Sequence, residues 1–334
     1  MLRCPPRVRV GAGVLVLTLG LSRTQPMAAQ QPLAGSLVVF NAGSLSGVFR
    51  ALLSALKQRN PSLDVRQESA GSLESVRKLT ELRRVPDVLA VADVSILPEL
   101  VVPDYASWYA TFARNALVLA YSDRSVGASE IGSENWWQVL LRPGVRTGRA
   151  SPSLDPNGYR ALMAIQLAER VYGVPGLADR LLRAMPERFV RPKAADLVAL
   201  VQAGELDYAW SYRSMVMTTG LDYVPLPREV DLSDPGLSEM YRTASVRIPG
   251  VQYRGADSLT IVAEPIVYAL TILDDAPNHR AAEAFVALLF SEEGQSILRA
   301  HGFTTVEHPL VAGPGTPPVG LIPPAAQPPP SSTP

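Results

Sequence analysis

The sequence predicts an α/β protein of two lobes, each with a mostly parallel central sheet, joined by a two-strand hinge. Three observations predict it. Short apolar runs at Ser36–Asn41 and Val65–Glu68 are each followed by a Gly-Ser turn and an amphipathic helical stretch. The alternation resumes with new material from Gly158. A late apolar stretch, Leu259–Ile272, broken at Glu264-Pro265, follows that second series and leads into two C-terminal helices.

Each element has a local reason. Ser36–Asn41 is apolar and rich in β-branched residues, as a buried strand is. After Gly43-Ser44, Phe49, Leu52, Leu53 and Leu56 recur at helical spacing until Asn60-Pro61. Val65–Glu68 is the second strand, and its helix runs through Val76 and Leu79. Pro86-Asp87 introduces a third strand, Val88–Ala92, and Ala116–Tyr121 reads as another. Further on, Gly158 begins a helix bearing Leu162, Ile165 and Val171. Ala195–Ala203 is helical and Leu206–Tyr212 a strand. Arg280–Phe290 and Glu292–Ala300 are the last helices. The reading assigns 35–118 and 263–306 to the first lobe and 119–262 to the second. No repeat of solenoid length is visible.

The ends read differently. Arg3, Arg7 and Arg9 precede the apolar Val10–Leu21, and the small residues Ala28 and Ala29 follow. Residues 1–29 therefore read as a signal peptide, and a soluble periplasmic or extracellular protein is expected. The whole chain has 31 basic and 31 acidic residues. Cleavage removes Arg3, Arg7, Arg9 and Arg23 but no acid, leaving a mildly acidic mature protein. It also removes Cys4, the only cysteine, and with it any disulfide or thiol chemistry. Residues 309–334 are crowded with proline, including Pro328-Pro329-Pro330, and are expected to form a disordered or extended tail. No basic excess points to nucleic acid. Beyond the signal, no apolar run reaches the roughly 20 residues of a membrane span.

Chemistry concentrates at four strand-to-helix turns. Asn41-Ala42-Gly43-Ser44-Leu45-Ser46 and Ser69-Ala70-Gly71-Ser72-Leu73-Glu74 are near copies. Each puts Gly-Ser at a helix start, where backbone N–H groups lack intrahelical partners and the helix presents partial positive charge. Such ends suit an anion without lysine or arginine. One such turn is most simply an N-cap; two after adjacent strands point to a shared anion site at the carboxyl edge of a sheet. Ser153–Arg160, with Asp155-Pro156 opening a helix, and Arg191–Asp196 are the third and fourth turns. Tyr212 ends a strand from which its hydroxyl reaches toward a cleft, although strand tyrosines most often only pack.

These segments, with Asp87–Ala90, Ala92-Asp93, Glu134–Trp136, Leu141–Val145, Gly158-Tyr159-Arg160 and Glu264–Tyr268, form a set. The set resembles the tungstate/molybdate-binding proteins of ABC importers, in the archaeal-type branch of the molybdate-binding periplasmic protein family. The resemblance covers about residues 36–306. It implies a type II periplasmic-binding-protein fold that clamps an oxyanion between lobes and delivers it to a membrane permease. It implies no cofactor beyond the molybdate or tungstate ligand, no nucleic-acid partner, and a monomer. Carried over by position, Gly43, Ser44 and Ser72 contribute from the first lobe. Asp155, the backbone of Pro156 and Asn157, Ala194 and Tyr212 contribute from the second. Asp155 is then a candidate oxygen ligand to the molybdenum or tungsten centre. One departure stands out. The branch often supplies a second carboxylate after an Arg-Pro-Lys segment, where this chain has Ala194, and many relatives carry Glu where this chain has Ser211. Binding by hydrogen bonds to a four-coordinate anion thereby competes with six-coordinate binding.

Three other readings stay open at this level. Asp155 facing a dianion repels it, so it bonds the metal centre, accepts the proton of hydrogenphosphate, or caps its helix. Phosphate or sulfate is thus an alternative ligand, and a structural or signalling module that keeps the two-lobed fold without ligand is another reading. An enzyme acting on anionic esters is disfavoured: the G-x-S-x-G elbow is absent, and His279, His301 and His308 all lie near the C-terminus, away from the Gly-Ser turns.

Overall fold

The computed structural model describes residues 1–2, 32–253 and 256–323. The expected signal peptide, apart from Met1 and Leu2, lies outside the described residues, as do tail residues 324–334. Leu33–Pro334 is one compact unit. It begins with β1 (Gly35–Ala42), α1 (Ser46–Arg59), β2 (Leu63–Ala70), α2 (Ser72–Thr80) and β3 (Val88–Val91). Next, α3 (Ile96–Leu100) leads to β4 (Tyr109–Arg114), and the chain crosses at Asn115-Ala116 into β5 (Leu117–Tyr121). The second half continues through α4 (Trp136–Leu140), β6 (Thr147–Ala150), α5 (Pro156–Tyr172), α6 (Leu177–Ala184) and β7 (Val190–Arg191). It goes on with α7 (Ala194–Ala203), β8 (Tyr208–Tyr212), α8 (Arg213–Val216), β9 (Asp222–Pro225) and α9 (Ser238–Tyr241). The hairpin β10 (Ser245–Tyr253) and β11 (Ala256–Val262) precedes the return to β12 (Val267–Ile272). The chain then forms α10 (His279–Phe290), α11 (Glu292–Ala300), β13 (Thr304–Thr305) and β14 (Val311–Ala312).

Two sheets result. The first has the order β13-β4-β12-β3-β1-β2, with β14 also on β4; the second has the order β7-β6-β8-β5-β9. Both are mixed. Parallel pairing holds where strand–turn–helix units repeat: β1 with β2 and β3, and β6 with β7 and β8. Antiparallel pairing enters with β12 and β5, the strands that follow a crossing between sheets. The crossings run side by side, since Asn115 N–H donates to Ile266 C=O at 3.3 Å.

Packing explains the helices. In α1, Val48, Phe49, Leu52, Leu53 and Leu56 are buried on one face, and Lys57 and Arg59 sit in the last turn, where cations suit the helix dipole. In α5, Asp155 is the N-cap, Pro156 opens the first turn, and Gly173 ends the helix at φ +61°. Under the first sheet, Phe49 meets Phe285 edge-on at 5.2 Å, and Tyr268 meets Phe303 at 5.3 Å. In the second half, Trp136 and Trp210 cross at 5.6 Å, and Trp136 Nε1 donates to the Tyr172 hydroxyl. Each fully buried ring contributes about 1.5–3 kcal/mol or more.

One expectation is corrected. The proline-rich tail is not wholly extended into solvent: Val311 and Ala312 pair with Ala110 and Tyr109. Leu310 C=O accepts from Thr111 N–H, Gly315 N–H donates to Ser107 C=O, and Leu321 and Ile322 are buried. Proline content masked this, because an edge segment needs only every other N–H for pairing.

Candidate functional site

Strand register sets the site. Ala42 is opposite Ala70 across the parallel β1–β2 pair, so the two Ala-Gly-Ser-Leu turns emerge side by side. Buried Asn41 ties them: its Nδ2 donates to Ala42 C=O and Ser69 Oγ, and Gln67 Nε2 donates to its Oδ1. Ser72 is fully buried at the start of α2, where its Oγ accepts from Ala92 N–H at 2.9 Å. That leaves the Ser72 hydroxyl hydrogen free to donate. Ser44 is half-buried, and its Oγ accepts from the Tyr268 hydroxyl at 2.9 Å. Tyr268 in turn accepts from Asn115 Nδ2 at 3.2 Å. The relay Asn115→Tyr268→Ser44 ends on the serine hydrogen, and each bond polarises the next. Burial pushes the Tyr268 phenol up to about 12, so it stays a neutral donor.

The second half meets these turns directly. A side chain at Gly71 would place Cβ 2.0 Å from Leu154 C=O, and that carbonyl accepts from Glu74 N–H. Asp155 follows. Its Oδ1 accepts from Asn157 N–H at 2.9 Å and its Oδ2 from Ala194 N–H at 3.1 Å. One carboxylate therefore caps both α5 and α7. Burial pushes its pKa up to about 6, against the two amides and Arg160, which lower it. Tyr212 is buried at the end of β8, where its hydroxyl accepts from Arg160 at 3.0 Å and keeps its own hydrogen. Burial, above all, holds the Tyr212 phenol well above its ordinary range.

The structure thus brings Gly43, Ser44, Ser72, Asp155, Asn157, Ala194 and Tyr212 together through a continuous set of contacts. Two expected roles change. Pro156 has no N–H and acts by starting α5. The N–H groups of Asn157 and Ala194 are taken by Asp155. The Asn157 side chain is what remains: it is fully buried, and neither amide atom has a partner. Such orphaned groups cost free energy unless something fills the site. Ser211 Oγ is also buried and unpartnered; its side chain lies on the face of β8 opposite Tyr212, as strand alternation requires. Among the described residues, no group of three or more His, Cys, Asp or Glu side chains is placed to hold a metal ion. Three residues gained roles that sequence spacing does not reveal: Asn115, Tyr268 and Arg160. Helical position alone hinted at Arg160, a charge one turn into an otherwise apolar helix face.

The site therefore offers hydroxyl, amide and helix-end donors and one carboxylate, a set suited to holding an anion. A family model of bacterial extracellular solute-binding proteins matches residues 37–304. An uncharacterized solute-binding protein of Petrotoga mobilis is 39% identical over 279 residues, 84% of this chain and 86% of the relative. The molybdate/tungstate-binding protein WtpA of Pyrococcus abyssi is 35% identical over 303 residues, 83% of this chain and 86% of the relative. Among solved structures, the Azotobacter vinelandii periplasmic molybdate-binding protein shares the fold at TM-score 0.60 and 16% identity, over 81% of this chain and all of that one. The Mycobacterium tuberculosis sulfate-binding protein SubI does so at 0.56 and 13%, over 81% of this chain and 87% of that one. The two-sheet α/β architecture and these matches agree: the chain belongs to the bacterial extracellular solute-binding protein family.

Proposed function

We propose that this protein is an exported monomeric receptor that captures molybdate or tungstate between its two lobes and delivers it to the permease of an ABC importer. The observation that carries the reading is the buried, unpartnered amide of Asn157; the hydroxyl hydrogens of Ser44, Ser72 and Tyr212 are further donors. A tetrahedral dianion presents several acceptor oxygens, and these donors match them. The Ser72 and Leu73 amides in the first turn of α2 have no intrahelical acceptors and add partial positive charge, while the Glu74 amide is taken by Leu154 C=O. The ligand's identity is supported by the curated molybdate/tungstate-binding relatives at about one-third identity.

We infer a four-coordinate anion held by hydrogen bonds. Both oxygens of Asp155 already accept backbone N–H groups, and Ala194 brings no second carboxylate. Asp155 acts as a bridge that fixes α5 and α7 around the anion. Closure follows from differential affinity: donors on both sides reach the anion only when the lobes meet, so the bound anion stabilises that state. The crossings at Asn115-Ala116 and Ala263–Ile266 serve as the hinge. Export through cleavage of the N-terminal segment places the receptor outside the cytoplasm. No helix among the described residues is long and apolar enough to cross a membrane.

The test is isothermal titration calorimetry of the cleaved protein with molybdate, tungstate, sulfate and phosphate. Binding of either metal oxyanion at least 100-fold tighter than of sulfate and phosphate is expected. Tight phosphate or sulfate binding with no response to the metal oxyanions overturns the assignment.

A further inference from the structure

The two halves are joined by a second set of contacts, centred on Asp93, Tyr159 and Arg160, that touches the anion donors only through the Tyr212 hydroxyl. Asp93 follows β3 in the first half. Tyr159 and Arg160 lie in the first turns of α5 in the second. The Tyr159 hydroxyl donates to Asp93 Oδ2 at 2.5 Å. Arg160 approaches the same oxygen at 3.4 Å, and its Nη1 donates to Ala92 C=O at 2.6 Å. All three side-chain partners are buried, with residue exposures of 8% for Asp93, 0% for Tyr159 and 3% for Arg160. The adjoining cavity, lined also by Glu264 and Pro265, is only about 10 Å³, room for about one water. Asp93 is fixed from its own side, since its Oδ1 accepts from both Ser95 N–H and Ser95 Oγ. Burial opposes the Arg160 charge, but Tyr212, Asp93 and Tyr159 around it hold its pKa above the ordinary value.

We propose that Asp93, Tyr159 and Arg160 form an interlobe latch that closes the protein before ligand binds and slows release of the captured anion. The proposal rests on the two-lobed receptor reading, but not on which anion is bound. Arg160 has a double position. It grips the first half through Asp93 and Ala92, and it donates to the Tyr212 hydroxyl, whose ring lies 5.8 Å from the guanidinium. Closing the latch therefore orients the Tyr212 donor toward the anion. The physics makes the latch reversible. Opening breaks a buried ion pair, but both charges recover hydration, so the two terms nearly balance. Removing the Asp93 charge alone leaves Arg160 buried and unpaired in the closed state, which shifts the balance strongly toward opening. The three residues are positioning residues, since none is required to touch the anion.

The test uses Asp93→Asn, which keeps an acceptor for Ser95 but loses the charge, and Tyr159→Phe, which loses one hydroxyl from a packed ring. Fluorophores at exposed Lys57→Cys and Arg183→Cys of the cleaved protein, which has lost Cys4, report the interlobe distance by single-molecule energy transfer. Without ligand, the unsubstituted latch is expected to populate a short-distance state that Asp93→Asn depletes at least fivefold and Tyr159→Phe depletes less. Stopped-flow tungstate release is expected to accelerate roughly 10- to 100-fold in Asp93→Asn, with association within about threefold, because a buried charge pair acts mainly on dissociation. Identical ligand-free distance distributions in all three proteins overturn the latch, whatever anion binds. If tungstate fails to bind while the distances shift as expected, the latch stands and the ligand assignment falls.

Discussion

Gly71→Ala isolates the contact between the halves from the stability of either one. Gly71 has φ −61° and ψ 146°, a conformation alanine adopts without strain. Its own half therefore tolerates the methyl group, and the restricted unfolded chain offsets any small capping loss. The obstacle lies across the cleft. The new Cβ would sit 2.0 Å from Leu154 C=O and 2.7 Å from its carbon, where ordinary contact begins at 3.4 Å. Relief needs a separation of about 1.4 Å. Leu154 cannot yield easily, because Leu154 N–H and Asp155 N–H are both bonded to Ser151 C=O. The halves must part, and Glu74 N–H loses Leu154 C=O as they do. Overpacking of this kind costs about 1–3 kcal/mol. Charged to the closed state alone, that is roughly a 5- to 150-fold loss of anion affinity. Calorimetry with the tightest-binding anion measures it, beside ligand-free thermal unfolding, where Tm is expected to stay within about 2 °C. Affinity within twofold of the parent refutes the claim that closure through Gly71 and Leu154 is needed for binding.

Two further outcomes separate modes of anion capture. The Asp155 carboxyl, raised to about 6 by burial, is mostly ionised at pH 7.5. A dianion held beside it by hydrogen bonds raises that pKa further, so binding takes up protons and affinity grows as pH falls from 7.5 toward 6, by at most roughly tenfold per unit. Calorimetry in buffers of different ionisation enthalpy reads the proton count; uptake that vanishes in Asp155→Asn supports the four-coordinate anion, whereas proton release marks direct bonding of Asp155 to the metal centre. Tyr268→Phe removes the donor to Ser44 while Asn115 keeps its bond to Ser214; anion affinity is expected to fall about 3- to 10-fold with little change in Tm, and an unchanged affinity shows that the relay does not reach the ligand.

The repeating units were legible in the sequence because apolar runs, Gly-Ser turns and helical spacing all report local structure. The same logic placed Gly43, Ser44, Ser72 and Asp155 at helix starts. What spacing cannot report is which group satisfies which. Asp155 spans two helices because Ala194, 39 residues away, comes back to it. Tyr268 serves Ser44 across 224 residues. The tail was misread for a related reason: proline frequency describes a chain's preference in isolation, whereas β4 offers residues 310–312 an unpaired edge. Mixed pairing likewise depends on where crossing strands return, which no local pattern encodes.

The placement of β12 has a consequence for the order in which the molecule is made. It lies between β3 and β4, so two neighbours in the sequence are not neighbours in the sheet. Until residues 267–272 exist, β3 and β4 have no common partner, and the first sheet is an incomplete fragment with an open seam. The second half, from residue 117 to residue 262, is contiguous and can assemble first. The first must wait for strands separated from it by nearly the whole second half, which is a slow, non-local step. A chain of this design emerges from synthesis unable to complete its first sheet until late.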